Sequence, residues 1–364
     1  MAMMLRTALL LFFLAQAPAL AQPPPFTLQW VHGRCVGCRL VFQLGRLQVL
    51  SDAEAWATGT QVGISGGHVS QSSSVLHTSD GGRTWKRLKD VETYGVDVEP
   101  AFWFLDARRG WVAWPTSWDA EEHLVRTLDG GRRWKKLPGN LEGSWVHLRF
   151  FDRRLGCAAL STAQGALFAT TRDGGATWVL ERTELTYPDV LSFLNPTLGW
   201  LGGSSAEGSR QIPRLLRTTD GGRTWRGASF PDKVQGNPHD LFFLDALHGW
   251  LVLWNTDDLG SALLQTADGG RTWIRSPESS FQGRDRYLGA VRFVSAQVGF
   301  ALMEEKRRDA PEGSPGKAAL FSTRDGGQSW KRFPLPTAAR SCQVVHGEVW
   351  CSSGMSLLKI RPNP

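Results

Sequence analysis

The sequence predicts an all-β fold, a seven-bladed β-propeller of four-stranded antiparallel blades whose last blade is closed by the N-terminal strand. Three observations carry this. An octet recurs six times, an apolar strand-turn-aromatic segment recurs ahead of each octet, and each end of the chain holds part of one further blade. The octet reads Thr78 to Trp85 (TSDGGRTW), Thr127 to Trp134 (TLDGGRRW), Thr171 to Trp178 (TRDGGATW), Thr218 to Trp225 (TTDGGRTW), Thr266 to Trp273 (TADGGRTW) and Thr323 to Trp330 (TRDGGQSW). Successive copies lie 44 to 57 residues apart, the length of one propeller blade.

The upstream segment appears as Phe102 to Trp114 (FWFLDARRGWVAW), Leu148 to Leu160 (LRFFDRRLGCAAL), Leu191 to Gly203 (LSFLNPTLGWLGG), Leu241 to Leu253 (LFFLDALHGWLVL) and Val291 to Met303 (VRFVSAQVGFALM), with a weaker first copy at Leu47 to Gly59. Alternating apolar residues mark a first strand, a polar turn follows, and a Gly-aromatic pair opens the second. The third strand ends at the Thr of the octet and the fourth starts at its Trp. After the sixth octet, Ser341 to Ile360 supplies three strands of a seventh blade. Phe26 to Val31 (FTLQWV) supplies the fourth, and the closed ring leaves no open sheet edge between blades.

The octet is a turn device. Its Asp accepts hydrogen bonds from amides further along, its Gly residues take positive φ without steric cost, and its Trp packs at the blade boundary. Asp80, Asp129, Asp173, Asp220, Asp268 and Asp325 are therefore read as structural. No DxDxDG calcium loop is present, and neither a metal nor a cofactor is expected. The chain resembles the Asp-box, or BNR, repeat family, whose pattern SxDxGxTW is matched at all six octets, with Arg133 and Ser329 replacing the Thr in two of them. The pairing of each box with the upstream FxFxDxxxGW segment is similar to the photosystem II assembly and stability factor type of seven-bladed propeller. That resemblance implies the fold and a scaffold or assembly role.

The repeat also accounts for most of the 17 Trp: five open second strands and six belong to octets, leaving Trp30, Trp103, Trp114, Trp118, Trp145 and Trp254 outside the pattern. Cys157 occupies a slot that is aromatic in most other blades and reads as a buried, inert thiol.

Residues 1–21 have the form of a secretory signal peptide: Arg6, an apolar run from Ala8 to Ala15, and an A-x-A site at Ala19 to Ala21. Residues 22–25 are a short Pro-rich linker, and 26–362 form one propeller domain. The expected location is periplasmic or extracellular, with no transmembrane segment. An oxidising compartment favours disulfides. The two-residue hairpin at His346 and Gly347 sets Cys342 directly opposite Cys351, which predicts a bridge, while Cys35 and Cys38 either bridge each other, pair differently, or serve zinc or redox chemistry.

The net charge of +7 is scattered along the chain, which argues against a nucleic-acid partner. A sialidase reading meets only Arg210, Gln211, Ile212 and Pro213, with an inserted residue and in the fourth blade. No GxSxG, HExxH, Walker or dinucleotide motif occurs, and no catalytic residue is assigned. Binding candidates lie in the loops between second and third strands. Trp114, Trp118, Asp119, Glu121 and Glu122 of the second blade, with Trp254, Asp257 and Asp258 of the fifth, would form an aromatic and acidic patch able to grip a peptide or stack on a sugar. On the opposite face Arg83, Arg132, Arg133, Arg223 and Arg271 would form a basic rim. Two functions follow: a non-enzymatic exported scaffold that binds a protein partner, or a carbohydrate-binding or glycoside-cleaving propeller.

Overall fold

A computed structural model of the chain describes residues 24–36, 43–65, 68–93, 99–114, 124–138, 141, 143–207, 210–231, 234–255, 260–277, 281, 285–305 and 316–363. Seven sheets form the ring. The innermost strands, in blade order, are Gln43–Val49, Ala101–Phe104, Ser144–Phe150, Tyr187–Phe193, Asn237–Phe243, Arg286–Phe293 and Cys342–Val345. Third strands end at Thr78, Thr127, Thr171, Thr218, Thr266 and Thr323, as the octets require. Fourth strands start later than expected in blades two to six and are short, as in Lys135–Lys136 and Ile274–Arg275, because the octet Trp turns inward before pairing resumes.

The upstream segment has a physical account residue by residue. Its Asp, Asn or Ser caps the turn: Asp106 Oδ1 accepts the amides of Arg108 and Arg109, each at 2.9 Å, and Asp245 and Asn195 do the same for their own turns. The Phe ending the innermost strand lies flat over the Gly that opens the second strand. A Cβ on Gly110 would stand 2.3 Å from the Phe104 ring, so only Gly fits there. The aromatic residue after that Gly stacks on the Phe of the next blade. Trp56 meets Phe104, Trp111 meets Phe150, Trp200 meets Phe243 and Trp250 meets Phe293, with centroids 3.5 to 4.4 Å apart and rings within 15° of parallel. Each of these four seams between blades is thus sealed by a ring pair.

The octets close the third hairpin as expected. Thr171 Oγ1 donates to Asp173 Oδ1 at 2.8 Å and accepts the Gly175 amide at 2.9 Å, while Asp173 takes the amide and hydroxyl of Thr177. Both octet glycines take positive φ in all six copies. Where Arg133 replaces Thr, the hydroxyl bond is lost and only the amide bond to Asp129 remains at that position.

The seventh blade takes Phe26–His32 as its outer strand, running from the pair Phe26 and Pro362 to the pair His32 and Ser356. The polypeptide then crosses the seam. Arg34–Val36 pairs in parallel with Thr84–Thr93, making the first blade five-stranded, an addition the sequence did not signal. Cys342 faces Cys351 at a Cα separation of 4.1 Å and is bridged to it. Cys35 is also disulfide-bonded; its expected partner, Cys38, lies outside the described residues.

Blade three departs from the seam pattern. Cys157 stands in the aromatic slot, buried and free, and burial pushes its thiol up to about 12. The vacant space is taken by Phe168 of the third strand, which stacks on Phe193 and meets Trp225 edge-on at 4.9 Å. At the same third-strand position the neighbouring blades carry Leu124 and Leu215.

Candidate functional site: the central channel

Innermost strands have one unpaired side, and the seven together enclose a channel of about 1110 Å³. Its lining comes almost entirely from these strands and the residues preceding them. Five of the seven carry a β-bulge near the start. The pairing register slips there between Leu44 and Leu47, Trp145 and His147, Pro188 and Val190, Pro238 and Asp240, and Leu288 and Ala290. The extra residue is Asp189 in the fourth blade and His239 in the fifth. A bulge bends the strand and re-aims its side chains. Here it turns Asp189 and His239 toward the channel.

One side of the mouth is polar. The innermost strand of the second blade is short, and Arg46 of the first blade reaches past it, donating from Nη1 to the Val146 carbonyl of the third blade at 2.6 Å. Glu99 lies beside it, 3.7 Å from Arg46 Nε, and accepts the Arg46 amide. His147 Nε2 donates to the Asp189 carbonyl at 2.9 Å. Burial, reinforced by the charge of Arg46, pushes His147 down to about 3, so it stays neutral. Asp189 Oδ2 is buried without a hydrogen-bond partner, and desolvation pushes this carboxyl up to about 7.

The other side is aromatic. His239 stacks on Trp254 with centroids 3.5 Å apart, Tyr287 meets Trp254 edge-on, and Trp254 Nε1 donates to the Leu288 carbonyl. Below these groups, the channel wall is tied together between blades. Gln48 exchanges two hydrogen bonds with the backbone of Phe104. Arg292 makes a forked pair with Asp240, at 2.6 and 3.1 Å, and donates from Nε to the Cys342 carbonyl.

The sequence-predicted residues are distributed differently. Trp254 lines the channel, whereas Trp114 is 4% exposed and packs among Trp56, Phe102 and Phe104. Trp114 therefore presents no open face for a sugar, and with one face of Trp254 covered by His239 the two do not make a shared stacking platform. Trp118, Asp119, Glu121, Glu122, Asp257 and Asp258 lie outside the described residues. Arg83, Arg132, Arg133, Arg223 and Arg271 are all exposed on the octet hairpins, on the face opposite the polar mouth. Two of them cap their own turns, Arg83 onto the Asp80 carbonyl and Arg271 onto the Asp268 carbonyl. Arg46, His147, Arg149, Asp189 and Asp240 were not anticipated. The signal for two of them was present, because Arg149 and Asp240 place a charge inside first-strand segments.

No family model and no curated protein matches this chain. Solved structures do. A YCF48 bound to D1 peptide aligns with a TM-score of 0.60 and 17% identity over 94% of this chain and 97% of that one. YCF48 from Cyanidioschyzon merolae aligns with a TM-score of 0.60 and 16% identity, covering 92% and 98%. The N-terminal domain of Nup159 aligns with a TM-score of 0.50 and 11% identity, covering 92% and 95%. At these identities the likeness is one of fold.

Proposed function

We propose that this chain is an exported, non-enzymatic propeller of the Asp-box type that binds a protein partner and acts as an assembly or stability factor, seating an extended segment of the partner in the channel mouth. The observation that carries the reading is the channel itself. It offers unpaired strand edges, an aromatic wall at His239, Trp254 and Tyr287, and a polar wall at Arg46, His147 and Asp189. Extended peptides are held by such a combination of backbone edge and side-chain pockets. The likeness to a YCF48 bound to D1 peptide supports the reading, since that propeller takes a peptide. No helix among the described residues is long and apolar enough to cross a membrane.

The test is affinity capture from the native exported fraction, with wild type and a variant of two channel-lining aromatics, Tyr287→Ala with Trp103→Ala, that retains its melting transition. Recovery of a defined partner by wild type, reduced at least about ten-fold by the variant, is expected. Absence of any partner, together with turnover on a glycan panel, would overturn the proposal. Mass spectrometry of the exported protein checks the processing step, with Gln22 as the expected first residue.

A further inference from the structure

The repeat supplies an internal control for the channel. Arg149 and Arg292 occupy the same position in their blades, each opposite the residue after the second-strand Gly. Each guanidinium also lies over the ring at the corresponding position of the preceding blade: Arg149 over Trp103 at 4.8 Å, Arg292 over Phe242 at 5.5 Å. Their polar surroundings differ. Asp240 takes both ends of the Arg292 fork and also accepts the Val291 amide at 2.9 Å. The pairing registers place Ala101 where Asp240 stands, and the Leu148 amide where that of Val291 stands. Ala101 brings no carboxylate. Arg149 Nε is buried with no hydrogen-bond partner, and among the described residues no carboxylate pairs with this guanidinium. Glu99 is engaged by Arg46.

A guanidinium whose Nε is shut away from water with neither a hydrogen-bond partner nor an anion is costly, and the fork is shaped for a carboxylate. We infer that Arg149, with the Leu148 amide and the Trp103 ring, forms a carboxylate-binding slot in the channel wall, in which the ligand supplies the group that Asp240 supplies to Arg292. The inference rests on the proposed reading and sharpens it: the segment entering the channel carries its own carboxylate, from a free carboxyl terminus or from an Asp or Glu side chain.

Acetate tests the slot directly in protein labelled with 15N-arginine, with the Nε–H resonance of Arg149 assigned by its loss in Arg149→Lys. A saturable shift with acetate and none with acetamide is expected, and no shift with acetate overturns the inference. Ala101→Asp builds the missing carboxylate into the wall and should abolish the acetate response. If that variant does not fold, Arg149→Lys replaces it in the peptide measurements. Three fluorescent hexapeptide pools separate the sources: free carboxyl terminus without Asp or Glu, amidated with one Glu, and amidated with neither. The first or second should bind wild type about ten-fold more tightly than the third and lose that advantage in Ala101→Asp or Arg149→Lys. Equal binding of all three pools overturns the slot while the peptide reading stands. An acetate shift with no pool bound supports the slot and overturns the peptide reading.

Discussion

The exchange of Cys157 and Phe168 between two positions of one seam is testable as a thermodynamic cycle. In blade four the slot holds Trp200 and the third-strand position holds Leu215; in blade three the two are Cys157 and Phe168. The ring is needed in one place or the other. A Cβ on Gly270 would meet Trp200, and one on Gly222, its counterpart a blade earlier, would meet Phe168. Cys157→Trp alone puts a second ring into occupied space and should cost about 2 kcal/mol through overpacking. Phe168→Leu alone empties part of a fully buried site and should cost about 1–2 kcal/mol. The double variant restores the pattern of blade four and should lie within about 1 kcal/mol of wild type, a coupling of about 2–4 kcal/mol. Urea unfolding of the four proteins with disulfides intact measures it. Additive costs would refute the claim that the two residues fill one space.

Other consequences follow from the same geometry. Asp240→Ala leaves Arg292 without its anion and should destabilise by about 3 kcal/mol in urea, whereas Arg149→Met should be neutral or stabilising; equal losses would place both arginines in the same structural role. Replacing Cys342 and Cys351 by Ser removes a short closed loop and should cost about 2–3 kcal/mol, read as a lower melting temperature that reductant lowers further by less than it lowers that of wild type. Thr177 holds Asp173, and Thr224 holds Asp220, at about 2 through hydroxyl and amide bonds. Because these pKa values lie below the unfolded carboxylate value, their stabilisation is present above about pH 4 and lost as pH falls toward 2, so the urea midpoint should drop across that window. Asp189 has the opposite sign. Its raised value makes stability fall as pH rises from about 4 through 7, so Asp189→Asn should raise the urea midpoint at pH about 8 and leave it unchanged near pH 4.

The blade count, the closure by Phe26–His32 and the Cys342–Cys351 bridge were legible because each is written in local chemistry: a Gly-Gly turn, a Gly beneath a Phe ring, a two-residue hairpin. The channel was legible only in part. Which side chains enter it depends on bulges that displace Asp189 and His239 by one residue, and a strand pattern alone does not reveal such a displacement. Arg46 acts two blades away from its own strand because the second blade's inner strand is short, a relation between elements far apart in sequence. Trp114 misled for a related reason: its place after the second strand suggested a loop, but its ring turns back under the first seam.

The strand that crosses from the seventh blade to the first has a consequence in time. Phe26–His32 is made before any blade and finds its partner, Ser356–Pro362, only after every blade has been made. Until then the last three strands lack their outer neighbour. Six blades can gather while this early segment waits, so the ring locks last at the place where its two ends meet. A binder that held Phe26–His32 aside would keep an otherwise folded protein open, and with it the channel unfinished.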